Sequence, residues 1–281
     1  MKLITVRFVS PFKIGEREDY VDAVTLYRAF IKALAMLGES FSEIMEGKVK
    51  FSSMFPVING TLYVKTPYRK VECKDREKDK RLRRIGFIRV DVLKKAEPPY
   101  TFRCRENSDE IYVQDYNNQE FALKGSDYLE SHGRTIVEYK NRIDRVNHSA
   151  DIYSTPSFMP AYDMGFLATE WNGKLERALR LLEKLGIGKD RNLGYGKFVV
   201  KGVTDFDISL SWRYKYVTGK AYTEGDFLAE RFDRAQIIGG DVSPVFFPIF
   251  VLLPPGSLVK ETKRLVERRD DNVVIVDPIA L

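Results

Sequence analysis

The sequence predicts an α+β fold of tandem ferredoxin-like (RRM-like) modules, the second reduced and the first carrying a long insertion. Three observations carry that expectation. Strand–helix–strand patterns open and close the first 204 residues; the stretch from about 66 to 155 keeps neither helical nor strand periodicity; and strand patterns recur after Asp205 without a strong helical one. The boundaries expected are a first module over 1–204, with the insertion inside it, and a smaller strand-rich module over 205–281.

The elements follow in chain order. Lys2 to Val9 alternates and forms the opening strand. Asp22 caps a helix that runs to Leu37 with Leu26, Phe30, Ala33, Leu34 and Leu37 facing inward, and Gly38 ends it. Val49 to Val57 and Thr61 to Lys65 pair around Asn59-Gly60, a strong hairpin signal. Beyond the insertion, Ser157 to Thr169 is extended. Asn172 then caps a second helix with Leu175, Ala178, Leu179, Leu182 and Leu185 on one face and a Glu176–Arg180 pair on the other. Gly186 sits where a left-handed terminator belongs, and Lys197 to Val203 is the next strand. In the tail, FDISLSWRYKYV, SPVFFPIFVLL and NVVIVD read as strands.

Composition narrows the function classes. The chain of 281 residues carries 46 Lys and Arg against 40 Asp and Glu, a net charge of +6, with a pI near 9.1, which favours nucleic acid over acidic protein surfaces. Two cysteines, Cys73 and Cys104, cannot build a four-ligand zinc site unaided, and two histidines add little, so no metal, no cofactor and no disulfide framework is expected. The amino-terminal stretch reads as a strand and not as a signal peptide. The longest apolar run, Val245 to Leu253, is too short to span a bilayer, so a cytoplasmic protein without membrane contact is expected.

The connection GIGKDRNLGYGKF, Gly186 to Phe198, brackets a basic loop with four glycines. Glycine reaches positive φ without strain and brings amide N–H groups close to a polyanion. The interleaved Lys189, Arg191, Asn192 and Lys197 point to an anionic ligand, and a purely structural turn is the alternative. The motif is neither a P-loop nor a dinucleotide fingerprint. A second cluster, His132 to Ala150, sets Arg134, Lys140, Arg142 and Arg145 around Tyr139, Asn141 and His148, with Asp144 placed to orient the guanidiniums. Such groups hold phosphates and stack on exposed bases, although an ion-pair network on a hairpin is the competing account. Arg69 to Arg84 holds nine basic residues against four acidic ones and reads either as a solvated charged loop or as a flexible basic flap along RNA. Ile238-Gly239-Gly240-Asp241 lacks the second acid of a two-metal palm turn.

The glycine loop, KNRIDRVNHSA and FSSMFPVINGTLYVKTP together resemble the RAMP superfamily of CRISPR effector proteins, most of all the fourth Csm subunit of type III-A interference complexes. The resemblance implies a non-catalytic subunit that caps the repeat-derived 5′ tag of the guide RNA. It also implies a thumb hairpin and two protein partners, a large cyclase/polymerase-like signalling subunit and a backbone RAMP subunit. By position it assigns RNA contact to Ser52 and Ser53, to Asn141 to Arg145, and to Gly186, Gly188, Lys189, Arg191, Asn192, Gly194, Tyr195 and Gly196. Pro98 to Ala122 is the candidate thumb. The rival is a RAMP endoribonuclease that processes CRISPR precursor RNA. It is disfavoured because 85 residues follow Gly196 and because His132 and His148 both lie in the insertion, where a surface or RNA-contacting role is expected of them.

Overall fold

The computed structural model describes residues 1–15, 19–105, 110–144, 149–239 and 245–281. The first half begins with β1 (Lys2–Phe8), α1 (Ala23–Met36), the single turn α2 (Ser42–Met45), β2 (Phe55–Ile58) and β3 (Thr61–Lys65). The insertion supplies β4 (Arg69–Glu72), α3 (Arg76–Arg84), β5 (Phe87–Arg89), α4 (Val90–Leu93), β6 (Tyr100–Cys104), β7 (Ile111–Gln114), β8 (Glu120–Leu123) and β9 (Tyr128–Leu129). It continues into two twelve-residue strands, β10 (Gly133–Asp144) and β11 (Ser149–Pro160). Then come β12 (Asp163–Ala168), α5 (Gly173–Leu185) and β13 (Phe198–Asp205). The tail contributes β14 (Lys215–Tyr216), β15 (Phe227–Leu228), β16 (Asp233–Gly239), β17 (Val245–Leu252), β18 (Leu258–Val259), β19 (Leu265–Arg269) and β20 (Asn272–Val276). Among the described residues no helix follows Asp205.

Seven strands form the main sheet in the order β13-β1-β12-β2-β3-β5-β9, every neighbour antiparallel. Its first four positions interleave two strand–helix–strand units, β1-α1-β2 and β12-α5-β13. Alternation sorts the side chains. Ile4, Val6 and Phe8 of β1 and Met164, Phe166 and Ala168 of β12 join the α1 and α5 faces in one core, whereas Leu3 and Leu167 turn to a second core beneath the insertion. The α1 cap is Asp22, whose carboxylate accepts from the Val24 amide, and Gly38 follows the helix at φ +67°. Asn172 caps α5 by accepting from Lys174 and Leu175.

The insertion differs from expectation in three places. Arg69 to Arg84 is not a loop or flap but β4 and α3: Asp75 caps the helix through the amides of Glu77 and Lys78, Asp79 pairs with Arg83, and Leu82 is buried. Opposite charges three and four residues apart meet on a helix, which a net count conceals. Pro98 to Ala122 is not a projecting thumb, because β6, β7 and β8 are built with β4 into a four-stranded sheet, order β4-β6-β7-β8. Cys73 and Cys104, at the ends of the adjacent β4 and β6, form a disulfide where none was expected. The pairing of those two strands brings together residues that are 31 apart in sequence. No described helix is long and apolar enough to cross a membrane.

Candidate nucleic-acid interface

The projecting element is the β10–β11 ribbon. Its twelve residue pairs run from Gly133↔Pro160 to Asp144↔Ser149, a length of roughly 40 Å. Two strands alone are marginal in water, so the ribbon needs an anchor. That anchor lies at its base, where Phe12 and Phe158 exchange main-chain hydrogen bonds of 2.9 Å and their rings stand 5.6 Å apart. Gly133 is required there, since a Cβ would lie 2.4 Å from the Met159 carbonyl oxygen. Farther out, one face of the ribbon is open to solvent. Tyr139 is 78 % exposed, Ile152 71 % and Val137 49 %. The register puts Val137, Tyr139, Asn141 and Ile152 on one face and Glu138 on the other.

The glycine loop lies against the segment Ser10 to Ile14, and its main chain is largely engaged in the fold. Gly196 donates to the Pro11 carbonyl at 2.7 Å, Lys189 to the Lys13 carbonyl at 2.8 Å, Ile187 to the Gly196 carbonyl at 2.9 Å and Lys197 to Ser10 Oγ at 2.9 Å. Leu193, Gly194 and Tyr195 donate within the loop. Three of its glycines have a packing reason: a Cβ at Gly196 would lie 1.8 Å from the Ile187 oxygen, at Gly188 2.6 Å from the Lys13 oxygen and at Gly186 2.8 Å from the Tyr195 oxygen. Gly194, at φ +91°, has open space around it. Among the described residues, Gly188, Asp190, Arg191 and Asn192 are the loop amides with neither a main-chain nor a side-chain acceptor. Lys189, Asn192, Leu193 and Gly194 are exposed, Arg191 is half-buried, and the Lys197 ammonium turns back to the Lys184 carbonyl.

A buried lysine joins loop to ribbon. Lys13, 5 % exposed, sits with its ammonium 3.7 Å from the Tyr195 ring centroid, 3.2 Å from Asp190 Oδ2 and 3.5 Å from Glu138 Oε2, while the Tyr195 hydroxyl donates to Glu138. Burial works against the Lys13 charge, but the hydrogen bonds to Tyr195 and Asp190 and the Glu138 carboxylate outweigh it, so its pKa is held above the ordinary lysine value. Hydrogen bonding to Glu138 raises the Tyr195 phenol. Lys13 was not legible as a site residue: in SPFKIG it is a lone cation, and only the fold gives it partners from β10 and the loop.

The other expected site residues separate. Arg134 and Asn141 are exposed on the ribbon. Lys140, Arg142 and Asp144 occupy its outer strand positions, with side chains outside the described residues, and Arg145 and His148 lie outside them altogether. Ser52 and Ser53 are buried, and their hydroxyls are used: Ser52 Oγ accepts from the Leu167 amide at 2.8 Å, and Ser53 Oγ accepts from the Ala23 amide at 3.1 Å. They hold β12 and the start of α1 in place and do not face solvent. His132 is likewise no surface group. It is 1 % exposed, packed between Phe87 and Phe158 with its Nε2 2.7 Å from the Asp19 carbonyl oxygen, and burial lowers its pKa to about 4.

No protein-family model matches the sequence, and no curated protein matches it. Solved structures do match in fold. One is the Csm3–Csm4 subcomplex of the type III-A CRISPR-Cas interference complex, with TM-score 0.61, 14 % identity, and coverage of 100 % of this chain and 98 % of that one. A Csm1–Csm4 cassette in complex with cA4 matches with TM-score 0.59 and 17 % identity over 99 % of this chain and 95 % of that one. The cassette in complex with pppApApA matches with TM-score 0.53 and 16 % identity over 100 % and 97 %. These neighbours share a Csm4 chain, and the full coverage in both directions leaves no large segment of either fold unmatched. The chain therefore shares its fold, along its whole length, with chains of type III-A structures that contain Csm4.

Proposed function

We propose that this chain is a non-catalytic RNA-binding subunit of a type III-A Csm interference complex, acting in the cytoplasm. It caps the repeat-derived 5′ tag of the guide RNA and docks a large signalling subunit and a backbone RAMP subunit. The observation that carries this reading is the loop edge of exposed Lys189 and Asn192 and half-buried Arg191, fixed through Lys13 and Glu138 to a ribbon that presents Tyr139 to solvent. Cations hold phosphates, and an exposed ring stacks on an unpaired base. Likeness in fold to chains crystallised with Csm1 and with Csm3 supports the two protein partners. For one of them, the exposed Phe232, Phe246, Ile249 and Val251 around β16 and β17 offer an apolar face. The strand order β13-β1-β12-β2 supports a ferredoxin-like first module over 1–204, with 205–281 as its reduced companion. The burial of His132 counts against the nuclease alternative.

The test is charge reversal. For the double variant Lys189→Glu, Arg191→Glu, the log–log salt slope for tagged guide RNA is expected to fall by about 0.7 per lost phosphate contact. An unchanged slope removes the loop from the interface. Incubation of the purified chain with a repeat transcript decides the chemistry: single-site cutting, lost in His132→Ala or His148→Ala, replaces the capping role by processing.

A further inference from the structure

A cleft of about 260 Å³ opens between the insertion, the end of the main sheet and the tail, away from the residues assigned above to RNA. Lys65, at the end of β3, and Arg69, at the start of β4, line it, together with Arg83 of α3 and Arg231 of the tail. Pro254 to Ser257 forms another wall. Gly256, at φ +93°, lets that wall approach so closely that a Cβ would lie 2.6 Å from the Thr66 carbonyl oxygen.

Each cation of this cleft has a carboxylate within 4 Å, and the pairings of Lys65 and Arg69 are long. Lys65 Nζ has the Asp19 carboxylate at 3.2 and 3.4 Å and the Phe87 ring centroid at 4.0 Å. The Arg69 side chain is 9 % exposed; its Nη2 donates to the Arg83 carbonyl at 3.1 Å, its Nη1 lies 3.5 Å from Glu230 Oε1, and its guanidinium covers the Phe102 ring at 5.3 Å. Arg69 Nε is buried without a hydrogen-bond partner among the described residues. The other two cations of the cleft have carboxylates of their own, Arg231 with Asp233 at 3.3 Å and Arg83 with Asp79 at 2.8 Å. Burial, opposed by Asp19 and reinforced by repulsion from Arg231 and Arg69, holds Lys65 below its ordinary pKa. Burial likewise lowers Arg69, where Arg83 works against Glu230. A buried donor on a charged group is rarely left without an acceptor, and the nearly buried Arg69 beside the half-buried Lys65, both loosely paired, favours an anion between them.

We propose that this cleft is a phosphoryl-binding site for a nucleotide, with a phosphate oxygen accepting from Arg69 Nε and the dianion lying between Lys65 and Arg69. The cations enter from separate segments of the chain, an arrangement suited to a tetrahedral anion with several acceptor oxygens, whereas a planar carboxylate satisfies one guanidinium fork. Pro254 and Tyr68 add apolar surface for the nucleoside that carries the phosphate. The site gives a role to two members of the basic run, Arg69 and Arg83, that the tag-capping reading leaves without one. It does not rest on that reading, because the phosphate belongs either to a free nucleotide or to an RNA strand, and each source gives its own result.

The full-length chain and the variants Arg69→Met and Lys65→Met, each checked for native circular dichroism, are titrated with inorganic phosphate, with AMP and with a tagged RNA oligonucleotide. If a free nucleotide is the source, AMP raises the wild-type Tm and binds about tenfold more weakly to both variants, whose own Tm without AMP is unchanged or higher because a loosely paired cation is gone. If an RNA strand is the source, AMP does not bind and each variant lowers the salt slope for tagged RNA by about 0.7. The proposal is overturned if wild type and both variants bind phosphate, AMP and RNA alike, or if AMP and phosphate fail to bind wild type and the variants leave the RNA slope intact. Loss of tag binding in the Lys189→Glu, Arg191→Glu variant is a separate result and bears only on the glycine loop.

Discussion

His132 is a side chain whose protonation the fold restrains within the accessible pH range, and the consequence has a definite sign. Burial between Phe87 and Phe158 lowers its pKa to about 4, against 6.5 for the free side chain, so the folded protein keeps the imidazole neutral. The unfolded chain then binds the extra proton between those values, and stability is full above about pH 6.5 and declines as the pH falls toward 4. Urea unfolding is expected to show about 2 kcal/mol of this contribution lost between roughly pH 7.5 and pH 5. In His132→Phe, which keeps the ring stack and removes the proton site, that part of the pH dependence is expected to vanish. An equal pH dependence in the two proteins would mean that other groups carry it. Single residues were the least legible level of the sequence. Nothing near Ser52 and Ser53 in FSSMF reveals that their hydroxyls accept amides from β12 and α1, because both partners are remote in sequence. Lys13 is hidden for the same reason.

At the scale of elements, legibility follows the range of the interactions. The two main helices were readable because caps and apolar spacing are local: Asp22, Gly38, Asn172 and Gly186 stand where the pattern puts them. The β2–β3 hairpin was readable from Asn59-Gly60, both at positive φ. The insertion was not, since β4 pairs in parallel with β6 across the intervening α3, β5 and α4, and no local signal announces such a pairing. The ribbon was read only as a basic cluster, with a hairpin as the alternative, because strands that expose residues such as Val137, Tyr139 and Ile152 lack the apolar–polar alternation of a half-buried strand. Within the glycine loop the geometry separates two substitutions that composition treats alike. Gly196→Ala forces a Cβ onto the Ile187 carbonyl oxygen and is expected to lower unfolding free energy by more than about 2 kcal/mol. Gly194→Ala meets no atom and bears only the strain of its positive φ, about 1 kcal/mol. Comparable losses in urea midpoint for the two would show that the close approach of Gly196 to Ile187 is not maintained in solution.

At the scale of the whole molecule, the tail is built into the cores of the first half. Ile275 joins the core of α1 and α5, Ile208, Tyr216, Leu258 and Ile279 join the core beneath the insertion, and Val24 of α1 packs with Phe247, Phe250 and Val276. One buried carboxylate concentrates this attachment. Asp277, 2 % exposed, has Lys50 Nζ 2.8 Å from Oδ1 and Arg264 Nε 3.1 Å from Oδ2, its carbonyl accepts from the Tyr27 hydroxyl at 2.7 Å, and Arg264 also donates to the carbonyls of Ile44 and Met45. Removing the buried carboxylate leaves Lys50 and Arg264 without their counter-ion, and because both reach solvent the cost is about 1–2 kcal/mol. Asp277→Ala is therefore expected to lower stability by that order. Because residues 205–281 share their core with the first half, the loss should appear as one cooperative urea transition of reduced midpoint, the same by tryptophan fluorescence and by far-UV circular dichroism. Two separated transitions, with early proteolysis confined to the tail, would instead describe a second module that folds by itself and is only pinned to the first through Asp277.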